Sequence, residues 1–206
     1  MSSAVQNPSP VPTEQTPLHP AEHRAYRELY AACSHLITRW RRIGSALEDT
    51  AVGDQLKDGA AETSVLLSEL APRTATYGLY GSPTAQGVGA RIADLRTAIM
   101  DRSGDTGLVV RSAVLDMEHV TTLLRQLAEL ARARADQNMA GFCEEWAGRL
   151  ESTLDAVREA AVELGSDPDR TSAPLDGSAV NRAAHGVGWV FGSIGEAVDR
   201  VVSRRR

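Results

Sequence analysis

The sequence is poor in the features that announce a reaction. It has two cysteines, Cys33 and Cys143, so neither a disulfide framework nor a zinc site with paired ligand spacing is available to it. Both sit among apolar residues, where a free thiol packs as a small hydrophobe and fits a reduced compartment. No apolar run reaches the roughly 20 residues that cross a bilayer, and the first residues lack the basic-then-apolar order of a secretory signal, which makes the cytoplasm the expected location. The formal charge is −5, with both signs interspersed along the 206 residues. No basic field is therefore offered to a phosphate backbone, and nucleic acid is not an expected partner. No glycine-rich phosphate cradle follows a strand and opens a helix; Gly87, Val88 and Gly89 are too short a run. No nucleophile elbow exists either, because Gly192, Ser193, Ile194 and Gly195 have the wrong spacing.

Apolar periodicity is what the chain has in abundance. Four stretches carry apolar residues at three-and-four spacing. The first runs Tyr26, Leu29, Tyr30, Cys33, Leu36, Ile37, Trp40, Ile43, Leu47, and the second Val52, Leu56, Ala60, Thr63, Leu66, Leu67, Leu70. The third runs Val110, Ala113, Met117, Val120, Leu124, Leu127, Ala131; the fourth runs Met139, Phe142, Cys143, Trp146, Leu150, Leu154, Val157, Ala161, Leu164. Each stripe lies on one face of an α-helix, and four such faces close around one core. An all-α fold follows.

The boundaries come from capping chemistry. Residues 1–20 hold five prolines among polar residues and are expected to be a disordered arm. The first helix should begin near Pro20 or Ala21, with Glu22 at its positive end, and close near Leu47. Asp49 or Thr50 can cap the second, which Pro72 should stop at Ala71. A crossover follows, with a short amphipathic helix on Val88, Ile92, Leu95 and Ile99. The third helix is expected from about Thr106 to Arg134, where Leu108, Leu115, Leu123 and Leu130 would widen the apolar face, and the fourth from Asp136 to Leu164. The short turn between them makes these two antiparallel neighbours. Together, residues 21–165 form the bundle domain; 166–178 read as a linker and 179–206 as a C-terminal amphipathic segment with a basic end.

Two helical hairpins joined by a long crossover that carries a short helix is ferritin-like connectivity. Locally, the stretch Leu56 to Leu70 with Glu62, then Tyr80, Gly81, Ser82 and Pro83, then Asp116, Met117, Glu118 and His119, resembles the uncharacterised ferritin-like domains related to bacterial stress-response proteins. The resemblance implies an antiparallel four-helix bundle with a stress-related role, and it raises the question of a di-iron or ferroxidase-like centre binding iron or manganese. Candidate ligands are Glu62, Glu118, His119, Glu145, Glu151 and Asp155. No Glu-x-x-His pair occurs in the four helices, Glu118 and His119 lean outward beside Met117, and no carboxylate interrupts the stripes. A non-enzymatic bundle that associates with itself or with a protein partner is therefore the expectation, without a cofactor.

The C-terminal segment is an amphipathic oddity. Val187, Val190, Phe191, Ile194, Val198 and Val201 recur at helical spacing, yet Gly186, Gly188, Gly192 and Gly195 each disfavour helix by nearly 1 kcal/mol. Such a segment needs a surface to dock on. Three surfaces stay open: the bundle itself; a membrane surface, with Trp189 and Phe191 at headgroup level and Arg204, Arg205 and Arg206 on anionic lipid; or a protein partner. Val190 to Ile194 resembles the apolar-Gly-Ser-apolar tags by which ferritin-like cargo enters encapsulin shells.

Overall fold

The computed structural model describes residues 17–79 and 104–175. Helix α1 spans Pro20–Ala46, entered through a capping box: His19 Nδ1 accepts from the Ala21 N–H at 3.1 Å, and Glu22 accepts from the His19 N–H at 2.9 Å. Helix α2 spans Ala51–Ala75, and Thr50, not Asp49, is its cap, accepting from the Gly53 N–H at 3.0 Å. Helices α3, Thr106–Ala133, and α4, Gln137–Glu163, start from the side chains of Asp105 and Asp136. A short 3₁₀ turn, Leu164–Ser166, and a one-turn helix α5, Pro168–Ser172, follow.

Pro72 does not end α2. A proline removes only its own N–H from the ladder, and here the turn beyond it is anchored by Thr74. That side chain is fully buried, donates back to the Leu70 carbonyl at 3.3 Å and shares a 2.7 Å hydrogen bond with the Tyr30 hydroxyl of α1. The last turn of α2 is thus held from outside its own helix.

Between α3 and α4 the chain reverses in three residues, Arg134, Ala135 and Asp136. Ala135 has φ 65, and the Asp136 and Ala135 N–H groups donate to the carbonyls of Ala131 and Arg132 at 2.9 Å each. This is a Schellman closure with alanine where glycine is usual.

Four close pairings hold the bundle: α1 with α2, α3 with α4, α1 with α3, and α2 with α4. Every pairing is antiparallel. Glu22 meets Arg134 while Trp40 meets Ala113, and Glu62 meets Arg149 while Tyr77 meets Asp136. Consequently α1 and α4 run one way, α2 and α3 the other. The connection from α2 to α3 therefore leaves one end of the bundle, beside Asp136, and rejoins it at the other, where the Thr106 N–H donates to Ala173 O at 2.8 Å. These ends are separated by the length of α3, about 42 Å at 1.5 Å per residue. The short crossover helix expected on Val88 to Ile99 lies outside the described residues.

The stripes form the core as their spacing requires. Trp40 and Trp146 are 0% and 1% exposed, and Leu29, Leu36, Leu56, Leu66, Leu70, Met117, Leu124 and Leu127 are equally closed. Ile37, Leu67 and Ala161 sit at its margin. The widened face expected on α3 is only half realised. Leu123 is buried and Leu130 half-buried, but Leu108 and Leu115 are 37% and 60% exposed. They lie about 180° and 200° round the helix from Met117 by helical geometry, which puts them on the outer face.

The α3–α4 seam is edged by three ion pairs: Glu118 with Arg158, Arg125 with Glu151, and Arg132 with Glu144. Positions 118, 125 and 132 rise by heptads while 158, 151 and 144 fall by heptads, as an antiparallel seam demands. Exposed pairs contribute only about 0–1 kcal/mol each. Their larger effect is on register. Sliding α4 by one heptad in one direction would set Glu118 against Glu151; sliding it the other way would set Arg125 against Arg158.

Candidate functional site

Of the six residues expected as candidate ligands, five sit on the bundle's outer seams with charged partners. Glu62, half-buried on α2, accepts from Arg149 Nε at 3.3 Å and from the Thr153 hydroxyl, both on α4. Glu118 and Asp155 share Arg158, the latter at 3.0 Å, and Glu151 takes Arg125 at 2.6 Å. His119 Nε2 lies 3.2 Å from Glu28 Oε1, each side chain about half exposed, at 51% and 55%. Glu145 is exposed on α4. The structure does not bring these groups to one point.

The interior beside Glu62 shows what stands there instead. A Cβ on Gly59 would lie 2.5 Å from Trp40 Cζ3, so the indole of α1 reaches across to the backbone of α2. Its N–H donates to the Ala113 carbonyl of α3 at 3.2 Å. One tryptophan thus spans three helices in the interior, where a di-iron bundle would direct carboxylates. Nearby Thr63, also fully buried, bonds to Gly59 O of its own helix at 2.8 Å. Among the described residues no group of three or more His, Cys, Asp or Glu is placed to hold a metal ion. The candidate donors among the described residues do not fit an internal iron or manganese pair.

Two buried polar clusters escaped the periodicity argument. In the first, Arg39 of α1, its side chain 4% exposed, donates to Asp116 Oδ2 of α3 at 2.7 Å and to the Ser112 hydroxyl. A signal existed in the sequence: Leu36, Arg39 and Ile43 follow the same three-and-four step as the stripe.

The second lies at the end of the bundle where α1 begins and α3 turns into α4. Arg134 Nε donates to Glu22 Oε1 and Arg134 Nη2 to Asp136 Oδ2, both at 3.1 Å, while the guanidinium stacks 4.6 Å from the Tyr77 ring centre. Tyr77 donates its hydroxyl to the same Asp136. Glu22 is 1% exposed. Burial alone would raise the Asp136 pKa, but hydrogen bonds from Tyr77 and the Met139 N–H, with the Arg134 charge, more than offset it and hold the carboxyl below its usual value of 3.8. Beside them Tyr26 is fully buried, and its hydroxyl has no partner among the described residues. Burial, then the neighbouring Cys143, Tyr77 and Glu22, push its ionisation far up.

The expected docking residues of the C-terminal segment, Val187, Trp189, Val190, Phe191, Ile194 and Val198, lie outside the described residues. Of the residues read as a linker, 166–175 are described, and they fold back on the start of α3. Both the N–H and the hydroxyl of Thr106 donate to Ala173 O at 2.8 Å, and the Thr171 methyl lies against Gly107. No helix among the described residues is long and apolar enough to cross a membrane. No protein-family model, curated protein or solved structure matches the sequence.

Proposed function

We propose that this chain is a non-enzymatic bundle of ferritin-like connectivity that works in the cytoplasm by association, with itself or with a protein partner. The observation that carries the reading is the fate of the carboxylates: Glu62, Glu118, Glu151 and Asp155 face arginines on outer seams, while Trp40 bridges three helices inside. Ionised carboxylates turned toward this apolar interior would be several kcal/mol unfavourable without a compensating cation. The layout supports the connectivity, since the crossover joins helices that run in the same direction. Leu108 and Leu115, on one outer stripe of α3, supply apolar surface for a partner.

Two measurements test this. Protein purified from cells supplemented with iron and manganese should carry far less than one metal ion per chain; a stoichiometric content would replace this reading with the di-iron one. Light scattering should give a mass above that of one chain, and Leu115→Asp should lower it. A strict monomer over a wide concentration range, unchanged by that substitution, would remove self-association.

A further inference from the structure

The Asp136 carboxylate ties the α3–α4 turn to a segment far away in sequence, the end of α2. It accepts from Tyr77, just beyond α2, from Arg134 at the end of α3, and through Oδ1 from the Met139 N–H at 3.0 Å in the first turn of α4. Arg134 carries the connection on to Glu22 of α1. The charged and titratable groups facing this point are Glu22 and Tyr26 from α1, His19 at its cap, Tyr77 after α2, Arg134, and Cys143 from α4. At the opposite end Asp105 and Asp167 cap their own helices through the Leu108 and Arg170 N–H groups, but among the described residues the contacts between elements there, Thr106 to Ala173 O and Thr171 to Leu164 O at 2.8 Å, run through neutral groups.

We infer that Asp136 is an acid-sensitive latch: its protonation releases Tyr77 and Arg134 together, so that acidification opens the bundle at this end first and uncovers Tyr26, Met139 and Cys143 while the Thr106–Ala173 end stays closed. The sign follows from the geometry. A carboxyl held below its usual value stabilises the fold above that value, and the contribution is lost as pH falls through the folded one. The window therefore lies below the ordinary aspartate value of 3.8. Loss of the charge also leaves Arg134, whose side chain is 10% exposed, with Glu22 as its remaining carboxylate.

The two native thiols report on the two regions. Cys143 is seven residues along α4 from Asp136, about 10 Å, whereas Cys33 is eleven residues along α1 from Glu22, about 16 Å. Both are fully buried. Labelling with dithiodipyridine, which reacts in acid, should accelerate at Cys143 by at least tenfold between pH 5 and pH 3 while Cys33 remains protected. Asp136→Asn, which keeps an acceptor for Met139 but no charge, should label quickly at Cys143 already at pH 5 and lose the pH dependence. Tyr77→Phe, which keeps the ring under Arg134, should move the labelling transition to higher pH and serves if the asparagine variant does not fold. Cys33 and Cys143 reacting in step at every pH, Cys143 protected throughout, or an unchanged profile in both variants would overturn the latch.

Discussion

The same substitution, glycine to alanine, should act in opposite directions at two helical positions. Gly148 on α4 faces open space, with nothing within 4 Å of an added Cβ. There alanine adds only helix propensity, and the variant should gain about 0.5–1 kcal/mol. Gly59 on α2 offers the same propensity gain but no room: the added carbon would lie 2.5 Å from Trp40 Cζ3 and 2.9 Å from Thr153 Cγ2. Trp40 cannot yield easily, since its ring is 0% exposed and its N–H is bonded to Ala113 O. Forcing a methyl into a close-packed site costs about 1–3 kcal/mol, and a contact this short against a fixed ring belongs at the upper end. Subtracting the propensity gain leaves Gly59→Ala destabilised by about 1–2 kcal/mol. At about 2–4 °C per kcal/mol for a chain of this size, the two melting temperatures should separate by roughly 3–12 °C. Thermal and urea unfolding followed by circular dichroism measure the difference, and tryptophan emission should shift in Gly59→Ala alone. If Gly59→Ala proves as stable as Gly148→Ala, the packing of Trp40 across α2 is wrong, and with it the account of what fills the bundle beside Glu62.

Two further outcomes follow from single groups. Ala135, at φ 65, holds a conformation that disfavours any side chain by about 1 kcal/mol or more, so Ala135→Gly should raise the urea midpoint by an equivalent of about 0.5–1 kcal/mol; a fall would show that the turn is relaxed with alanine. Burial pushes the Cys33 and Cys143 thiols up to about 12, helped at Cys143 by the Asp136 charge, so both should resist thiol reagents at pH 8 until the protein unfolds. The raised values contribute stability that is present below the ordinary thiol value of 9.0 and lost as pH rises from there toward 12, because the unfolded chain ionises first. Urea midpoints at pH 7 and pH 10 should show this decline, and Cys33→Ala with Cys143→Ala should flatten it.

How much of this could be read from the sequence depended on how local the physics was. Helical periodicity reports which face of a helix is buried, and Tyr26 to Leu47 and Met139 to Leu164 were legible for that reason. Capping is equally local: Pro20 with Glu22, Thr50 and Asp136 all lie within four residues of the groups they serve. The stop expected at Pro72 failed because Thr74 is held by Tyr30, a residue of another helix. Leu108 and Leu115 are apolar without being buried, as their angle from Met117 on the helix requires. The partners of Arg39 and Glu22 on α3, and the heptad ladder, were illegible for one shared reason. Each depends on the register between helices distant in sequence, and a stripe carries no information on which residue of its neighbour stands opposite.

That register sets the same dipole ends at both ends of the bundle, and the side chains answer them differently. Because all four close pairings are antiparallel, each end gathers two helix N-termini, partly positive, and two C-termini, partly negative. At the Asp136 end the N-termini belong to α1 and α4, and they receive Glu22 in the first turn of one and Asp136 at the cap of the other. The C-termini belong to α2 and α3. Arg73 lies in the last turn of α2 and Arg134 at the cap of α3, each also stacked on a ring, Phe142 and Tyr77 respectively. Every dipole end there meets a side chain of the opposite sign. At the other end, Asp54 and Asp105 serve the N-termini of α2 and α3, but neither α1 nor α4 has a basic residue in its last turn. Residues 164–175 cover that side instead, with Thr171 taking the Leu164 carbonyl and Thr106 taking that of Ala173. The Asp136 end, where carboxylates and guanidinium groups join different helices, should respond more strongly to pH and salt than the other end, whose carboxylates Asp54 and Asp105 serve only their own helices. The bundle is therefore electrostatically polarised along its axis even though its apolar core runs the whole length.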